Sequence, residues 1–209
     1  MTATLDELTL ADAPDPWREC GFSVEGDACV LGEARIRFAS EEGERGLTGW
    51  SLRNVDSTDL DGLPTTRSDR PPPAEAPPHP NGVISLDHVV AISSDLDRTV
   101  EKLVAAGLDL RRVREEPTPA GAPRQAFFRL GSMILEAVQE PPEATERAGG
   151  DRPAFFWGLA FTAPDLEQTV AYLGDCVSDV RPAVQPGRQI ATLRRSSGLS
   201  VPVALITPP

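Results

Sequence analysis

Two titratable residues interrupt otherwise apolar runs: His88 in Leu86-Asp87-His88-Val89-Val90 and Glu136 in Ile134-Leu135-Glu136-Ala137-Val138. Histidine titrates near neutral pH and serves as acid, base or ligand. An ionised carboxylate seldom occupies an apolar strand without a partner or a watered cavity. Strand alternation leaves Glu136 two options, an inward position or a solvent-facing pleat position. Facing an apolar cavity it would have a raised pKa and anchor a ligand by hydrogen bonding. His88 reads either as a ligand-binding group or as a histidine facing a solvated cleft or hydrogen-bonded in a sheet.

Aromatic residues supply a second set of candidates. Trp157, flanked by Phe155 and Phe156 and followed by Gly158, fits either ordinary sheet packing or an apolar cup in which the glycine leaves space for a ligand. Arg124, Ala126 and Phe128 share one strand face, which would set a cation beside an aromatic surface, whereas Phe127 and Arg129 share the other. His79, in a proline-rich stretch, reads as an exposed loop histidine. Phosphate-binding glycine loops, a G-x-S-x-G elbow, H-E-x-x-H and nucleotide fingerprints are all absent from the sequence. Cys20, Cys29 and Cys176 form no C-x-x-C pair and are expected to be reduced.

These residues belong to a chain of 209 residues that is 40% hydrophobic and 25% charged, an ordinary globular composition. A formal net charge of −12 repels phosphate backbones and anionic lipid surfaces, so neither nucleic acid nor a membrane is expected as a partner. Arg111-Arg112-Val113-Arg114 runs into Glu115-Glu116 and reads as a solvated strand end. No apolar run reaches the roughly 18 residues needed to cross a bilayer, and the first residues resemble no secretory signal, so a cytoplasmic location is expected.

Composition divides the chain. Residues 56–83, with Pro71-Pro72-Pro73 and Pro77-Pro78, read as an extended, flexible proline-rich linker. A second break runs from Glu140 to Pro153. After the linker, Ile84 to Ile92 reads as a strand. Asp95 then caps a helix carrying Leu96, Val100, Leu103 and Val104, which stops at Gly107. Strands follow at 110–114, 125–130 and 133–138, giving βαβββ. Residues 154–209 repeat this pattern 70 positions on, with Asp95/Asp165, Leu96/Leu166, Thr99/Thr169, Val100/Val170 and Leu103/Leu173 identical. Its elements are expected at 157–162, 165–173, 190–194 and 201–206. Residues 1–55 read either as a shorter third copy or as an α+β extension. The expected fold class is α+β: curved, cup-shaped mixed sheets built from paired βαβββ modules at 84–140 and 154–209, with an added partial N-terminal module. An odd module count leaves a spare sheet, which favours a homodimer.

The module order, with Leu86-Asp87-His88 opening one unit and Ile134-Leu135-Glu136-Ala137-Val138 closing it, resembles the vicinal oxygen chelate superfamily. That superfamily includes glyoxalase I, bleomycin-resistance proteins, extradiol dioxygenases and methylmalonyl-CoA epimerase. The resemblance spans residues 84–208 and extends more weakly to 1–55. It implies that the first and last strands of each module aim a ligand at one divalent metal ion, Zn, Ni, Fe or Mn, which places His88 and Glu136 on metal positions. The second module departs from this pattern, with Gly158 opposite His88 and Ala204 or Leu205 opposite Glu136. Glu7 aligns with His88, so pairing the N-terminal module with the middle one would gather Glu7, His88 and Glu136 around one cup.

Three functions follow as expectations. The first is a metal-dependent lyase, isomerase or dioxygenase acting on a small oxygenated metabolite, with Glu136 exchanging a proton. The second is a metal-free protein that binds or sequesters a small molecule through Trp157, Gly158, Phe128 and Arg124. The third is an assembly module without a ligand.

Overall fold

A computed structural model of the protein describes residues 2–40, 43–118 and 121–209, so residues 1, 41 and 42 of the expected N-terminal module lie outside the described residues. The N-terminal part contains β1 (Thr4–Leu10), α1 (Pro14–Glu19), β2 (Val24–Glu25), β3 (Ala28–Leu31), β4 (Ala34–Phe38), β5 (Leu47–Arg53) and β6 (Thr65–Arg67). The remainder contains β7 (Ser85–Ser93), α2 (Leu96–Ala105), β8 (Asp109–Arg114), β9 (Gln125–Leu130), β10 (Met133–Gln139), α3 (Pro142–Arg147), β11 (Phe155–Thr162), α4 (Leu166–Leu173), β12 (Arg181–Pro182), β13 (Gln189–Thr192) and β14 (Val203–Ile206). The strands form a six-stranded sheet, β2-β3-β4-β1-β5-β6, and an eight-stranded sheet, β12-β13-β14-β11-β7-β10-β9-β8.

The 70-residue repeat is visible in local chemistry before it is visible in topology. Asp95 Oδ1 accepts from the Arg98 amide at 3.0 Å and Asp165 Oδ1 from the Gln168 amide at 3.0 Å, so each helix starts on the same aspartate cap. The buried residues are Leu96, Thr99 and Leu103 on α2 and Leu166, Thr169 and Leu173 on α4, the same stripe 70 positions apart. Gly107, at φ +88°, turns the chain after α2, where an added Cβ would lie 2.6 Å from Asp56 Oδ2.

Within each module the first and last strands pair in parallel, β7 with β10 and β11 with β14. The two modules join antiparallel through β7 and β11, with His88 opposite Ala160 and Val90 opposite Gly158. Adding 70 to 88 gives 158 and to 90 gives 160, so a pseudo-twofold axis passes between these pairs. The register slips twice. Asp87 has no partner between Leu86–Phe161 and His88–Ala160, and Trp157 has none between Phe156–Ala91 and Gly158–Val90. Each slip is a β-bulge.

The N-terminal sheet repeats the arrangement in part: β4 pairs parallel to β1, and β5 pairs antiparallel to β1 as β11 does to β7. It packs within the same molecule. Trp17, fully buried, meets Phe161 edge-on at 6.0 Å between ring centres, and Trp50 meets Phe156 at 5.0 Å. Buried residues of both sheets form one contiguous core. Apolar residues of the N-terminal sheet are thus buried against the eight-stranded sheet of the same chain.

The expected linker 56–83 carries β6 and the buried residues Leu60, Leu63 and Asp61. His79 is not an exposed loop histidine. It is 6% exposed, its Nδ1 accepts from the Ser23 amide at 2.9 Å and its Nε2 lies 3.0 Å from the Val30 carbonyl. Proline removes donors from this segment, and side chains such as His79 tie it to the N-terminal sheet instead.

Candidate functional site

Alternation along β10 buries Met133, Leu135 and Ala137 in the core and turns Ile134, Glu136 and Val138 to the opposite face. There Glu136 and Val138 line a cavity of about 610 Å³, together with His88 and Val90 from β7 and residues of β11, β13 and β14. Glu136 thus faces a cup built by both modules.

The bulge at Asp87 decides the chemistry of its floor. In a regular strand, consecutive side chains point to opposite faces; the extra residue lets Asp87 reach its own neighbour. Asp87 Oδ1 lies 2.7 Å from His88 Nδ1, while Asp87 Oδ2 accepts from Arg188. Burial alone would raise the Asp87 pKa. Hydrogen bonds from His88 and Arg188 outweigh it and hold the carboxyl below its ordinary range. An ionised Asp87 only accepts, so His88 Nδ1 carries a proton and donates it to this bond.

His88 Nε2 lies 3.7 Å from Glu136 Oε2, beyond hydrogen-bond range. Glu136 Oε1 accepts from Gln125 Nε2. Burial pushes the Glu136 pKa up, against the opposing pull of His88 and the Gln125 hydrogen bond. Gln125 lines the cavity, and its Oε1 is buried without a partner.

Trp157 lines the cup at 51% exposure, next to Phe155 and Val184. Three other expected positions differ. The space beside Gly158 is not left for a ligand, because a Cβ there would lie 3.0 Å from the Pro202 carbonyl oxygen. Phe128 is fully buried in the core on the far side of the sheet. Arg124 is bound to Glu115 and Asp97 rather than to the cup. The alternation on β9 is as expected, but the cup-facing set is that of Gln125, a residue of unremarkable type whose cross-strand position opposite Val138 carries the signal. Asp87 and Arg188 also went unpredicted, since their roles need the bulge and a long-range contact.

Glu7 is not brought to His88 and Glu136. It lies in the six-stranded sheet, where Arg37 and Arg70 bind its carboxylate. The middle module pairs with the C-terminal module, not with the N-terminal one. Register also chooses Ala204 over Leu205 as the counterpart of Glu136: Glu136 pairs with Val90, and Ala204 pairs with Ala160, the residue 70 positions after Val90. The four positions that would face a shared ion are thus His88, Glu136, Gly158 and Ala204. Two of them offer no donor atom, and the nearby Asp87 is engaged by Arg188. Among the described residues, no group of three or more His, Cys, Asp or Glu side chains is arranged to hold a metal ion. This donor set does not fit the divalent centre that the fold class implies.

A second cavity, about 450 Å³, lies between the sheets. Its Arg53 is already bound to Asp6, the Leu5 carbonyl and the Arg70 carbonyl.

No family model and no curated protein sequence matches this chain. Among solved structures, it is similar to methylmalonyl-CoA epimerase from Mycobacterium tuberculosis, with TM-score 0.50 and 18% identity over 61% of this chain and 90% of that one. It is also similar to a xylose isomerase-like TIM barrel/4-hydroxyphenylpyruvate dioxygenase fusion protein, with TM-score 0.61 and 12% identity over 98% of this chain and 48% of that one. The chain shares with these structures the fold of paired βαβββ modules. The match to the fusion protein extends that likeness across the N-terminal unit and spans about half of that protein's length.

Proposed function

We propose that this protein binds a small organic molecule in the cup between its two C-terminal modules, without a resident metal ion. The observation that carries this reading is the division of the cup. His88 and Glu136 line it from one module, whereas the other lines it with Trp157 and Ala204 and has Gly158 at the position that repeats His88. A mostly apolar pocket with a few convergent polar groups suits a drug-sized ligand. Two donors on one side suit a tightly held divalent ion poorly.

A second reading, an acid–base enzyme, is favoured by one observation. His88 and Glu136 both line the cavity, and with Nε2 and Oε2 3.7 Å apart one substrate atom lying beside the pair is within reach of both. Conversion of a bound compound, lost in both Glu136→Gln and His88→Gln, would favour it over binding alone.

The test of the first reading is elemental analysis and thermal unfolding of chelator-treated protein. We expect well under one equivalent of divalent metal, no loss of melting temperature on chelation, and stabilisation by at least one class of small molecule in a screen. One equivalent of metal that disappears in His88→Ala would overturn it.

A further inference from the structure

We infer that the molecule taken up by the cup is an amphiphilic monoanion, with a carboxylate-type head bound by Arg181 at the rim and an apolar body laid against the walls. This deepens the small-molecule reading above and rests on it.

Asp109-Leu110-Arg111 and Asp179-Val180-Arg181 are the same pattern 70 positions apart, yet the two arginines do different things. Arg111 falls where the register of β8 on β9 slips, between Leu110 and Arg112, and it binds Asp109 at 3.2 Å. Arg181 sits directly opposite Ile190 on β13, and directly opposed residues share a sheet face. Ile190 and Thr192, alternate residues of β13, line the cup, and so does Arg181. Among the described residues no carboxylate pairs with its guanidinium.

This leaves one uncommitted positive charge in the cup. Among the described residues that line it, Arg181 is the one Lys or Arg. Nearby arginines are spent, Arg188 on Asp87 and Arg152 on Glu140. A guanidinium is charged at every relevant pH, and its planar fork matches a carboxylate. One arginine balances one negative charge.

The acidic groups of the cup stand away from this place. Glu136 is on β10, five strand steps from β12 in the order of the sheet. At about 4.8 Å per step, roughly 24 Å of curved sheet separates the two. Glu140 is engaged by Arg152 and Thr145. A head at Arg181 therefore meets the cation on the wall opposite Glu136.

Apolar surface accounts for the rest of the molecule. Phe155, Trp157 and Val184 are large apolar side chains left exposed, and all three line the cup. Val184 follows Arg181 by three residues, so apolar surface begins beside the charge. An ion pair at an exposed site contributes little, so the apolar body supplies most of the affinity and Arg181 selects the sign of the head.

Three probes with one ring system and one planar head test this at neutral pH: 2-naphthoate, 2-naphthamide and 2-naphthamidine, of charge about −1, 0 and +1. Binding is measured by calorimetry, or by ligand-observed NMR where affinity is weak. We expect the naphthoate to bind about fivefold more tightly than the amide, and the amidine no more tightly than the amide. Arg181→Gln changes an exposed residue of an edge strand and should keep the circular dichroism spectrum while shrinking the naphthoate preference below about twofold. Arg111→Gln, the same change in the other module, should leave the preference intact. Equal binding of naphthoate and amide, or tightest binding of the amidine, overturns the anion requirement while leaving the cup reading intact. A preference that survives Arg181→Gln, or that falls equally in Arg111→Gln, overturns the role of Arg181. Binding of none of the three overturns this inference, and stabilisation by other compounds in the screen then separates its failure from failure of the cup reading.

Discussion

Asp87 and Trp157 occupy the same place in two copies of one module. They are 70 positions apart, each is the unpaired residue of a β-bulge on the strand that joins the modules, and the bulges are related by the pseudo-twofold axis. The scaffold turns one into a carboxylate that orients a histidine and the other into an aromatic wall. The two modules share the geometry and differ in the side chains it carries.

Asp87 also neutralises Arg188, whose side chain is only 11% exposed. Asp87→Ala should cost about 3 kcal/mol, because it strands a buried guanidinium. Adding Arg188→Met should recover most of that loss. Urea unfolding of the single and double variants checks both, and additive losses would count against the pair. The imidazole ¹⁵N shifts of His88 should also reveal mixed tautomers once Asp87 is gone.

Glu136 makes stability depend on pH. Its folded pKa is raised above the ordinary value of about 4.5, so its contribution is fully present below that value and is lost as pH rises through the folded pKa. Melting temperature measured from acid to neutral pH should therefore fall relative to Glu136→Gln as pH increases. Parallel curves for parent and variant would contradict this burial effect.

His79 acts in the opposite sense. Burial lowers its pKa despite the hydrogen bond to Val30, so its contribution is present above the ordinary value of about 6.5 and is lost as pH falls through the folded pKa. Protonation would also place a proton on Nδ1, where the Ser23 amide now donates. We expect the amides of Asn81 and Gly82, bonded to the Gly21 and His79 carbonyls, to lose protection from hydrogen exchange on acidification before the eight-stranded sheet does. Simultaneous loss would show that His79 does not set the strength of this attachment.

The repeated caps give a quantitative check of the module symmetry. Asp95→Ala and Asp165→Ala should each destabilise by about 1 kcal/mol, through loss of one side-chain bond to a helix amide. The double variant should lose roughly the sum, since the caps share no partner. Chemical denaturation of the three proteins reads this directly.

The α+β class, helices α2 and α4 and most strands of the two C-terminal modules were legible in the sequence, because caps, alternation and helical spacing are local and the 70-residue repeat states them twice. His88 and Glu136 were legible as candidates because a charged residue in an apolar strand needs an explanation. Tertiary structure decided what they face and whom they meet. Alternation sorts Arg124 and Phe128 from Gln125 and Phe127, yet it does not say which set faces the cup; packing of Phe128 into the core settled that. Aspartate beside histidine reads as two opposite faces until a bulge, defined only by the partner strand, brings them together. Glu7 matches His88 in sequence pattern, but strand pairing placed it in another sheet beside two arginines. Local periodicity specifies an element and its two faces, whereas register and module pairing depend on contacts between residues far apart in the chain.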